Sequence, residues 1–360
     1  MSKQIHKFTP AGLGLLIGSL PVSDYEQALS LIAQYTPAIP LWPQLPANPL
    51  ERMLNQFIEG LPGIVETDER TYFDLTSTDF EAEQLKFYEE YLAVAEDLAQ
   101  TLNSRFAVSD SRAHGIYAMR AKGLPESGLT AVKGQVTGPF TLLTGLADSD
   151  HRLGYYDESF RDMTVKCLAM KAAWQVKFLQ DFQVPVIVFI DEPALSGLGS
   201  SAFISISKDD IATDLSEVIG AIQGAGGLAG IHVCANTDWS FLLSLGLNIL
   251  SFDAYNFFDR LTACQTDVHT FLDGGGIIAW GLIPTGDSEL IASETSRSLA
   301  ARWEKKIEPL TGGSWDKAAI LKRSLITPSC GTGALTLDAA TRVLQLTSGV
   351  SKILRDKYIR

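Results

Sequence analysis

Cysteine is scarce in this chain, with four residues in 360, and their wide spacing excludes a dense disulfide scaffold. Lysine and arginine number 29 against 42 acidic residues and form no basic run. The net charge of −13 argues against nucleic acid or an anionic membrane as a partner. Long apolar runs are also missing, and the run at 11–20 is too short to span a bilayer and lacks a following cleavage signature. These absences predict a reduced, cytoplasmic setting.

What the chain does contain is an alternation of short apolar runs with long amphipathic stretches, which predicts βα units and a parallel sheet. Eight candidate strands can be counted, the number that closes a TIM (β/α)8 barrel. Residues 46–130 break this rhythm with a hairpin pattern and a helix at 80–102, and are expected to be an insertion after the second strand of a single domain, 1–360. The predicted strands are 13–18, 39–45, 131–136, 184–190, 229–233, 249–252, 276–282 and 319–326, and the other predicted helices are 23–34, 155–182, 207–225, 258–271, 287–309 and 336–355.

Three soft metal ligands stand at the ends of predicted strands: His232 and Cys234 in IHVCANTDW, and Cys330 in ITPSCGTG. Side chains two positions apart on a strand share a face, so His232 and Cys234 could bind one ion together. One imidazole and two thiolates suit Zn²⁺, and an open fourth position is typical of catalytic zinc. Zinc with two thiolates is suited to binding and deprotonating a substrate thiol, which indicates alkyl transfer to sulfur. Buried structural His and Cys side chains are the alternative for the pair alone.

Three further positions at strand ends are candidates for the site. Asp253 could be a fourth zinc ligand or a base for His232, or it could cap the turn that follows. Asp191 and Glu192 in FIDEPALSG could bind a substrate ammonium group or act as acid and base, or could cap a helix that Pro193 opens. Gly18 and Ser19 in LLIGSLP could present N–H groups to a carboxylate, or simply form a tight turn.

These motifs stand in one order along most of the chain: IGSLP, VKGQVTGPFTLL, DEPAL, HVCANTDW, FDAYNF and TPSCGTG. The ordered set resembles the C-terminal catalytic barrel of the cobalamin-independent methionine synthase superfamily, in a short form that lacks the N-terminal barrel. That superfamily also contains uroporphyrinogen decarboxylases and zinc methyltransferases that use corrinoids. The resemblance implies one zinc ion on His232, Cys234 and Cys330. It also implies that Asp191 and the backbone from Ile17 through Gly18 to Ser19 bind the amino-acid part of L-homocysteine.

The chain departs from the family pattern in ways that bear on the methyl donor. Asp253 stands where the family has a glutamate ligand, and Gly197 stands where the family has a glutamate on the folate side. The family's proton-donor histidine is replaced by the GLIPTGD region. Methyltetrahydrofolate is therefore not expected as the donor. The expected donor is a methylated corrinoid such as methylcobalamin, carried by a partner protein, and the expected product is methionine.

Three alternatives stay open at this point. The acceptor could be another thiol such as coenzyme M, although a carboxylate pair at the barrel mouth disfavours a sulfonate. A metal-free decarboxylase acting on an acidic tetrapyrrole would need clustered arginines, which the chain does not show near its first strand. A non-catalytic zinc or corrinoid-binding role would require a closed site with four ligands.

Overall fold

The computed structural model describes residues 8–124, 128–198, 203 and 205–359. None of the described helices combines the length and the apolar character needed to cross a membrane. The strands are β1 (Leu13–Gly14), β2 (Ile64–Glu66), β3 (Thr71–Phe73), β4 (Val132–Thr137), β5 (Val186–Asp191), β6 (Leu228–Val233), β7 (Ile249–Phe252), β8 (Ile277–Ile283) and β9 (Ser324–Pro328). The helices are α1 (Tyr25–Tyr35), α2 (Phe80–Glu96), α3 (Asp110–Lys122), α4 (Pro139–Gly145), α5 (Glu158–Leu179), α6 (Lys208–Gly224), α7 (Trp239–Leu243), α8 (Ala254–Thr262), α9 (Gln265–Asp273), α10 (Ser288–Ser293), α11 (Ser296–Lys306), α12 (Lys317–Lys322) and α13 (Leu337–Tyr358).

Seven strands form one curled parallel sheet in the order β1-β9-β8-β7-β6-β5-β4. Its two edges are joined by the segment 39–45, which makes one parallel bridge to each side, Leu41 with Lys133 and Gln44 with Ser19. Backbone hydrogen bonds of 3.0 to 3.3 Å accompany both bridges. The segment therefore occupies the eighth strand position, and the predicted TIM-type barrel is confirmed.

The central strands are buried along almost their whole length, because helices cover one face and the barrel interior covers the other. Parallel strands of this kind leave only their ends free for chemistry, and the carboxyl ends are the ones that form active sites in such barrels. One buried apolar cluster draws its members from strands all round the barrel: Leu15, Ile17, Ile39, Ala131, Ile187, Phe189, Ile249, Ile277, Ala279 and Leu325.

The last predicted strand, 319–326, is wrong in its first half. Residues Lys317–Lys322 form α12, and the strand begins at Ser324. Asp316 starts the helix by accepting a hydrogen bond from the Ala319 N–H at 2.7 Å. The run AAIL is short and apolar, so periodicity alone does not separate helix from strand there.

Two predicted helices are each divided in the structure. The region 258–271 is covered by α8 and α9, and the region 287–309 by α10 and α11. Thr295 separates the second pair because it forms a capping box with Ser298, which begins a new helix. Local caps of this kind stop a helix where its apolar periodicity still continues.

The segment 46–130, which the sequence predicts to be an insertion, contains the predicted hairpin, with β2 antiparallel to β3. Helix α2 ends before the predicted residue 102, because Asp97 caps a separate 3-10 helix, Leu98–Asn103. Helix α2 packs against α5 on the outside of the barrel, where the Tyr88 hydroxyl donates to Asp162 at 2.7 Å. The early residues of the insertion reach the barrel mouth, as described below.

A buried lysine on α5 stands out in the packing of the outer helices. The side chain of Lys171 is fully buried, and its Nζ has no hydrogen-bond partner within the described part of the chain. Burial lowers the pKa of this ammonium group, because a charge without a partner is poorly solvated in the interior. Lys171 therefore destabilises the fold at neutral pH.

Replacing Lys171 with methionine is expected to raise the free energy of unfolding by about 1–3 kcal/mol at pH 7, since an unsatisfied buried polar group is removed while most of the volume is kept. The unfolded chain binds a proton at this lysine that the native state binds less well. Wild-type stability should therefore rise as the pH approaches the ordinary lysine value of 10.5, and the advantage of the variant should shrink. Urea unfolding at pH 7 and pH 10 checks both points, and a methionine variant less stable than wild type would contradict them.

Candidate metal centre

Three side chains converge at the carboxyl ends of the barrel strands. His232 lies on β6, Cys234 follows that strand directly, and Cys330 follows β9. One imidazole nitrogen and the two sulfur atoms all lie within 4.8 Å of one another. The alternation of β6 turns His232 and Cys234 to the same side, while β9 brings Cys330 from the other end of the sequence. The structure thus brings together the three ligands that the sequence predicts.

The orientation of His232 fits a metal ligand. Its Nδ1 lies 3.0 Å from the hydroxyl of Ser251 on the neighbouring strand β7. Its Nε2 is buried and has no hydrogen-bond partner among the described residues. A buried nitrogen without a partner is costly unless something binds it, and a hydrogen bond at the other nitrogen is what normally orients a metal-bound histidine.

The two thiols interact directly. A hydrogen bond from Cys330, together with His232, holds the pKa of Cys234 well below its ordinary value. The same contact and burial raise the pKa of Cys330. A divalent cation bound here would hold both sulfurs as thiolates, because metal-bound cysteines are deprotonated.

Asp253 is buried near this cluster but does not join it. Its carboxylate accepts hydrogen bonds from the Asn256 N–H at 3.0 Å and from the Asn256 side-chain amide at 2.7 Å. Asp253 is thus the N-cap of α8, which is the structural alternative that the sequence left open. Its carboxylate oxygens are not among the ligand atoms that converge.

Asp191, the last residue of β5, points a carboxylate oxygen into the barrel mouth. The side chain is 7% exposed, and its Oδ1 is buried without a partner among the described residues. Burial raises the pKa of this carboxyl to about 6, although Lys133 and His232 oppose the shift. A buried acceptor without a donor indicates a place where a ligand with N–H groups would bind.

Lys133 on β4 is a buried residue of this region that the sequence reasoning missed. Its Nζ donates to the carbonyl of Ile17 and, at 3.1 Å, to the side-chain oxygen of Gln135. Burial lowers its pKa to about 8. The signal was available in the motif VKGQV, because Lys133 and Gln135 stand two apart on a strand and share a face.

Glu192 points away from the barrel mouth. Its carboxylate accepts hydrogen bonds from the Phe140 N–H at 3.0 Å and from the Thr141 N–H and hydroxyl at 2.8 and 2.6 Å. Burial raises its pKa to about 7 even so. Glu192 therefore anchors the start of α4, and a direct contact with a ligand would break these bonds.

In the loop after β1, three successive backbone carbonyl groups, those of residues 17 to 19, each accept a hydrogen bond. The Ile17 carbonyl accepts from Lys133, that of Gly18 from the Gln44 N–H, and that of Ser19 from Thr332. A Cβ atom on Gly18 would lie 2.4 Å from Gln44 Oε1, so a side chain there would displace the Gln44 amide. With its carbonyls taken, this loop can offer a ligand N–H groups, which bind carboxylates.

A cavity of about 600 Å³ joins these features. It contains every predicted site residue except Glu192 and Asp253, and it adds residues from the 46–130 insertion and from the loop after Cys330. The apolar part of its lining is a surface for a hydrocarbon side chain. The lining residues are Ile17, Gly18, Ser19, Gln44, Pro46, Glu51, Arg52, Met53, Asp191, Pro193, His232, Cys234, Cys330, Gly331, Gly333 and Ala334.

Comparison with protein-family models gave no match, and neither did comparison with curated proteins. Among solved structures, the chain is similar to a B12-independent methionine synthase from Shewanella sp. W3-18-1 in complex with selenomethionine, at 16% identity and a TM-score of 0.48, over 68% of this chain and 66% of that one. It is also similar to the pneumococcal exo-β-D-N-acetylglucosaminidase StrH, at 9% identity and a TM-score of 0.47, over 97% and 85%. Both likenesses are distant. The fold and the site described above rest on strand pairing and side-chain geometry.

Proposed function

We propose that this protein is a zinc-dependent methyltransferase that methylates the thiol of L-homocysteine to give methionine. The donor in this proposal is a methylated corrinoid, such as methylcobalamin, presented by a partner protein. His232, Cys234 and Cys330 are the zinc ligands, and Asp191 with the backbone of Ile17, Gly18 and Ser19 binds the amino-acid part of the acceptor.

One observation carries the proposal: two cysteines line the same cavity as His232 and Asp191, each of which has a buried atom without a hydrogen-bond partner among the described residues. His232 Nε2 and the two thiols form a soft three-ligand set, which suits zinc and leaves a position open. Asp191 Oδ1 supplies a negative acceptor beside that set. A ligand with a thiol at one end and an ammonium group at the other would satisfy both.

The chain's own groups account for acceptor binding and orientation. A zinc ion bound there would supply the positive charge that lowers the pKa of the acceptor thiol. Asp191 holds the ammonium group, and the N–H groups of the loop after β1 hold the carboxylate, so that the sulfur is fixed in direction. The new bond joins the acceptor sulfur to the methyl carbon. The bond between carbon and donor breaks, its electron pair stays on the donor, and the thiol proton leaves to solvent.

The residues that line the cavity support a methyl donor whose leaving group needs no proton. Among the described lining residues, His232 is the sole imidazole and belongs to the ligand set. Glu51 also lines the cavity, but its oxygens accept from the Tyr25 hydroxyl and the Leu45 N–H, both at 2.7 Å. A methylcorrinoid leaves as a reduced corrinoid without protonation, whereas a folate amine requires a proton.

Two observations weigh against the alternatives. The Asp191 carboxylate, whose Oδ1 has no partner among the described residues, would repel the sulfonate of a coenzyme M-like thiol and would attract an amine. A tetrapyrrole decarboxylase needs several arginines to bind the carboxylates of its substrate. The described residues that line this cavity include one arginine, Arg52. Homocysteine therefore remains the acceptor that the cavity fits best.

The test is zinc content combined with X-ray absorption at the zinc edge, before and after addition of L-homocysteine. We expect about one zinc per chain, with two sulfur ligands before addition and three after it. L-Homoserine, which has a hydroxyl in place of the thiol, is the matched control and should leave the spectrum unchanged. Protein that binds no zinc, or zinc whose sulfur count does not change with homocysteine, would overturn the proposal.

A further inference from the structure

The loop that carries Cys330 packs against Ser19, which lies in the loop between β1 and α1. The N–H and the hydroxyl of Thr332 both donate to the Ser19 carbonyl at 3.0 Å. The Gly333 N–H donates to the Ser19 hydroxyl at 3.2 Å. Three hydrogen bonds therefore join the candidate carboxylate-binding loop to the segment that begins with a candidate zinc ligand.

The two loops are also in close steric contact. A Cβ atom at Gly331 would lie 2.3 Å from the Ser19 hydroxyl oxygen, and one at Gly333 would lie 2.8 Å from the Ser19 Cβ. A side chain at either position would have to displace Ser19. Thr332 itself is 3% exposed, so water does not compete for its hydrogen bonds. A displacement of Cys330 would therefore also displace Ser19.

From these contacts we propose that Thr332 is a positioning residue that couples zinc binding at Cys330 to binding of the acceptor's carboxylate at the loop after β1. This inference rests on the proposed function and goes beyond it. A cation that fixes the Cys330 sulfur also fixes Thr332, two residues later. Thr332 holds the Ser19 carbonyl, and Ser19 ends the stretch Ile17–Gly18–Ser19 that lines the cavity, so the position of this stretch depends on Thr332.

The coupling has a thermodynamic consequence in both directions. If zinc strengthens amino-acid binding by some factor, the amino acid strengthens zinc binding by the same factor. The zinc-free protein would bind the acceptor's amino-acid part weakly even though Asp191 and the loop are present. Homocysteine would then be bound tightly where zinc can activate its sulfur.

The test uses L-norleucine, an amino acid with no sulfur, so that a change in its affinity does not come from a bond to zinc. Calorimetry on wild-type protein should give binding at least about fivefold tighter with zinc than without. In Thr332→Val, which keeps the shape and the backbone N–H but loses the hydroxyl donor, the ratio should fall clearly below the wild-type value. Thr332→Ser keeps the hydroxyl and should restore the ratio. A ratio that Thr332→Val leaves unchanged would overturn the inference.

Hydrogen exchange provides a readout that needs no amino acid. Zinc should slow amide exchange in the peptide covering residues 16–20 of wild type and of Thr332→Ser, and should slow it clearly less in Thr332→Val. If no α-amino acid binds the wild-type protein, the proposed acceptor is wrong, and exchange alone then decides the coupling. Protection by zinc that Thr332→Val reduces would support the coupling, and protection that is absent or that the substitution leaves unchanged would refute it.

Discussion

Replacing Cys330 with alanine is expected to remove most of the bound zinc and to lower the rate of methionine formation by a factor on the order of 10² or more. Four-ligand zinc sites bind with roughly 10–16 kcal/mol, so one ligand accounts for roughly 3 kcal/mol. Each 1.4 kcal/mol is about tenfold in affinity. Zinc content after dialysis against a chelator, and methionine production from homocysteine and methylcobalamin, measure the two effects.

Asp253→Asn is the matched control, because it alters another buried polar side chain at a neighbouring strand end. Asparagine is as good an N-cap as aspartate, so α8 should keep its start. Zinc content and rate should therefore stay close to wild type. A Cys330→Ala variant that keeps its full zinc would refute the metal assignment, and an Asp253→Asn variant that loses zinc would make Asp253 a ligand.

Replacing Asp191 with asparagine is expected to lower kcat/KM for homocysteine by a factor on the order of 10², mainly through KM. The substitution keeps the shape of the side chain but removes the charge opposite the acceptor's ammonium group. Loss of one partner of a buried charge pair costs about 2–5 kcal/mol. The zinc content should not change, because Asp191 is not part of the ligand set. Steady-state kinetics at saturating methylcobalamin provide the measurement.

The same substitution is expected to stabilise the free protein at pH 7. The Asp191 carboxyl has its pKa raised from 3.8 to about 6, so the native state holds its proton more tightly than the unfolded chain does. Wild-type stability therefore falls as the pH rises from about 4 to about 6, and asparagine removes that fall. Thermal unfolding should show a higher Tm for Asp191→Asn at pH 7 and a smaller difference near pH 4.

Glu192→Gln separates recognition from folding. It makes the same carboxyl-to-amide change one residue along the chain, where the carboxylate caps α4 instead of facing the cavity. The amide has a single acceptor oxygen for the two N–H groups and the Thr141 hydroxyl, and we expect this loss to outweigh the gain from removing a buried carboxyl with a raised pKa. Its effect should therefore appear as a lower Tm with KM nearly unchanged. If Glu192→Gln raises KM as much as Asp191→Asn does, or if Asp191→Asn leaves KM unchanged, Asp191 does not bind the ammonium group.

The sequence predicted well those features that depend on the alternation of residues along a strand or on the position of a strand end. Strand alternation placed His232 and Cys234 on one side, and the rule that parallel strands share an active end brought Cys330 to them across the barrel. The same alternation should have separated Asp191 from Glu192, since neighbouring residues on a strand face opposite ways. Lys133 could have been found in the same manner.

Other features had no local signal. The split of 319–326 into α12 and β9 depends on a cap at Asp316, within a run whose apolar residues suit either structure. The contacts of Thr332 with Ser19 join residues 313 positions apart, and no pattern around either residue announces them. A side chain whose role depends on contact with a distant loop can be recognised only from the three-dimensional structure.

The closure of the barrel has an unusual chemical basis. The segment 39–45 connects the two sheet edges by a single bridge on each side, which is fewer residue pairs than the other neighbouring strands of the barrel form. Lys133 lies on one of those edges, and its ammonium group binds the Ile17 carbonyl on the other. The Lys133 side chain thus connects, inside the barrel, the two sheet edges that few backbone contacts join. Here the barrel is closed by a buried ammonium group as well as by strand pairing.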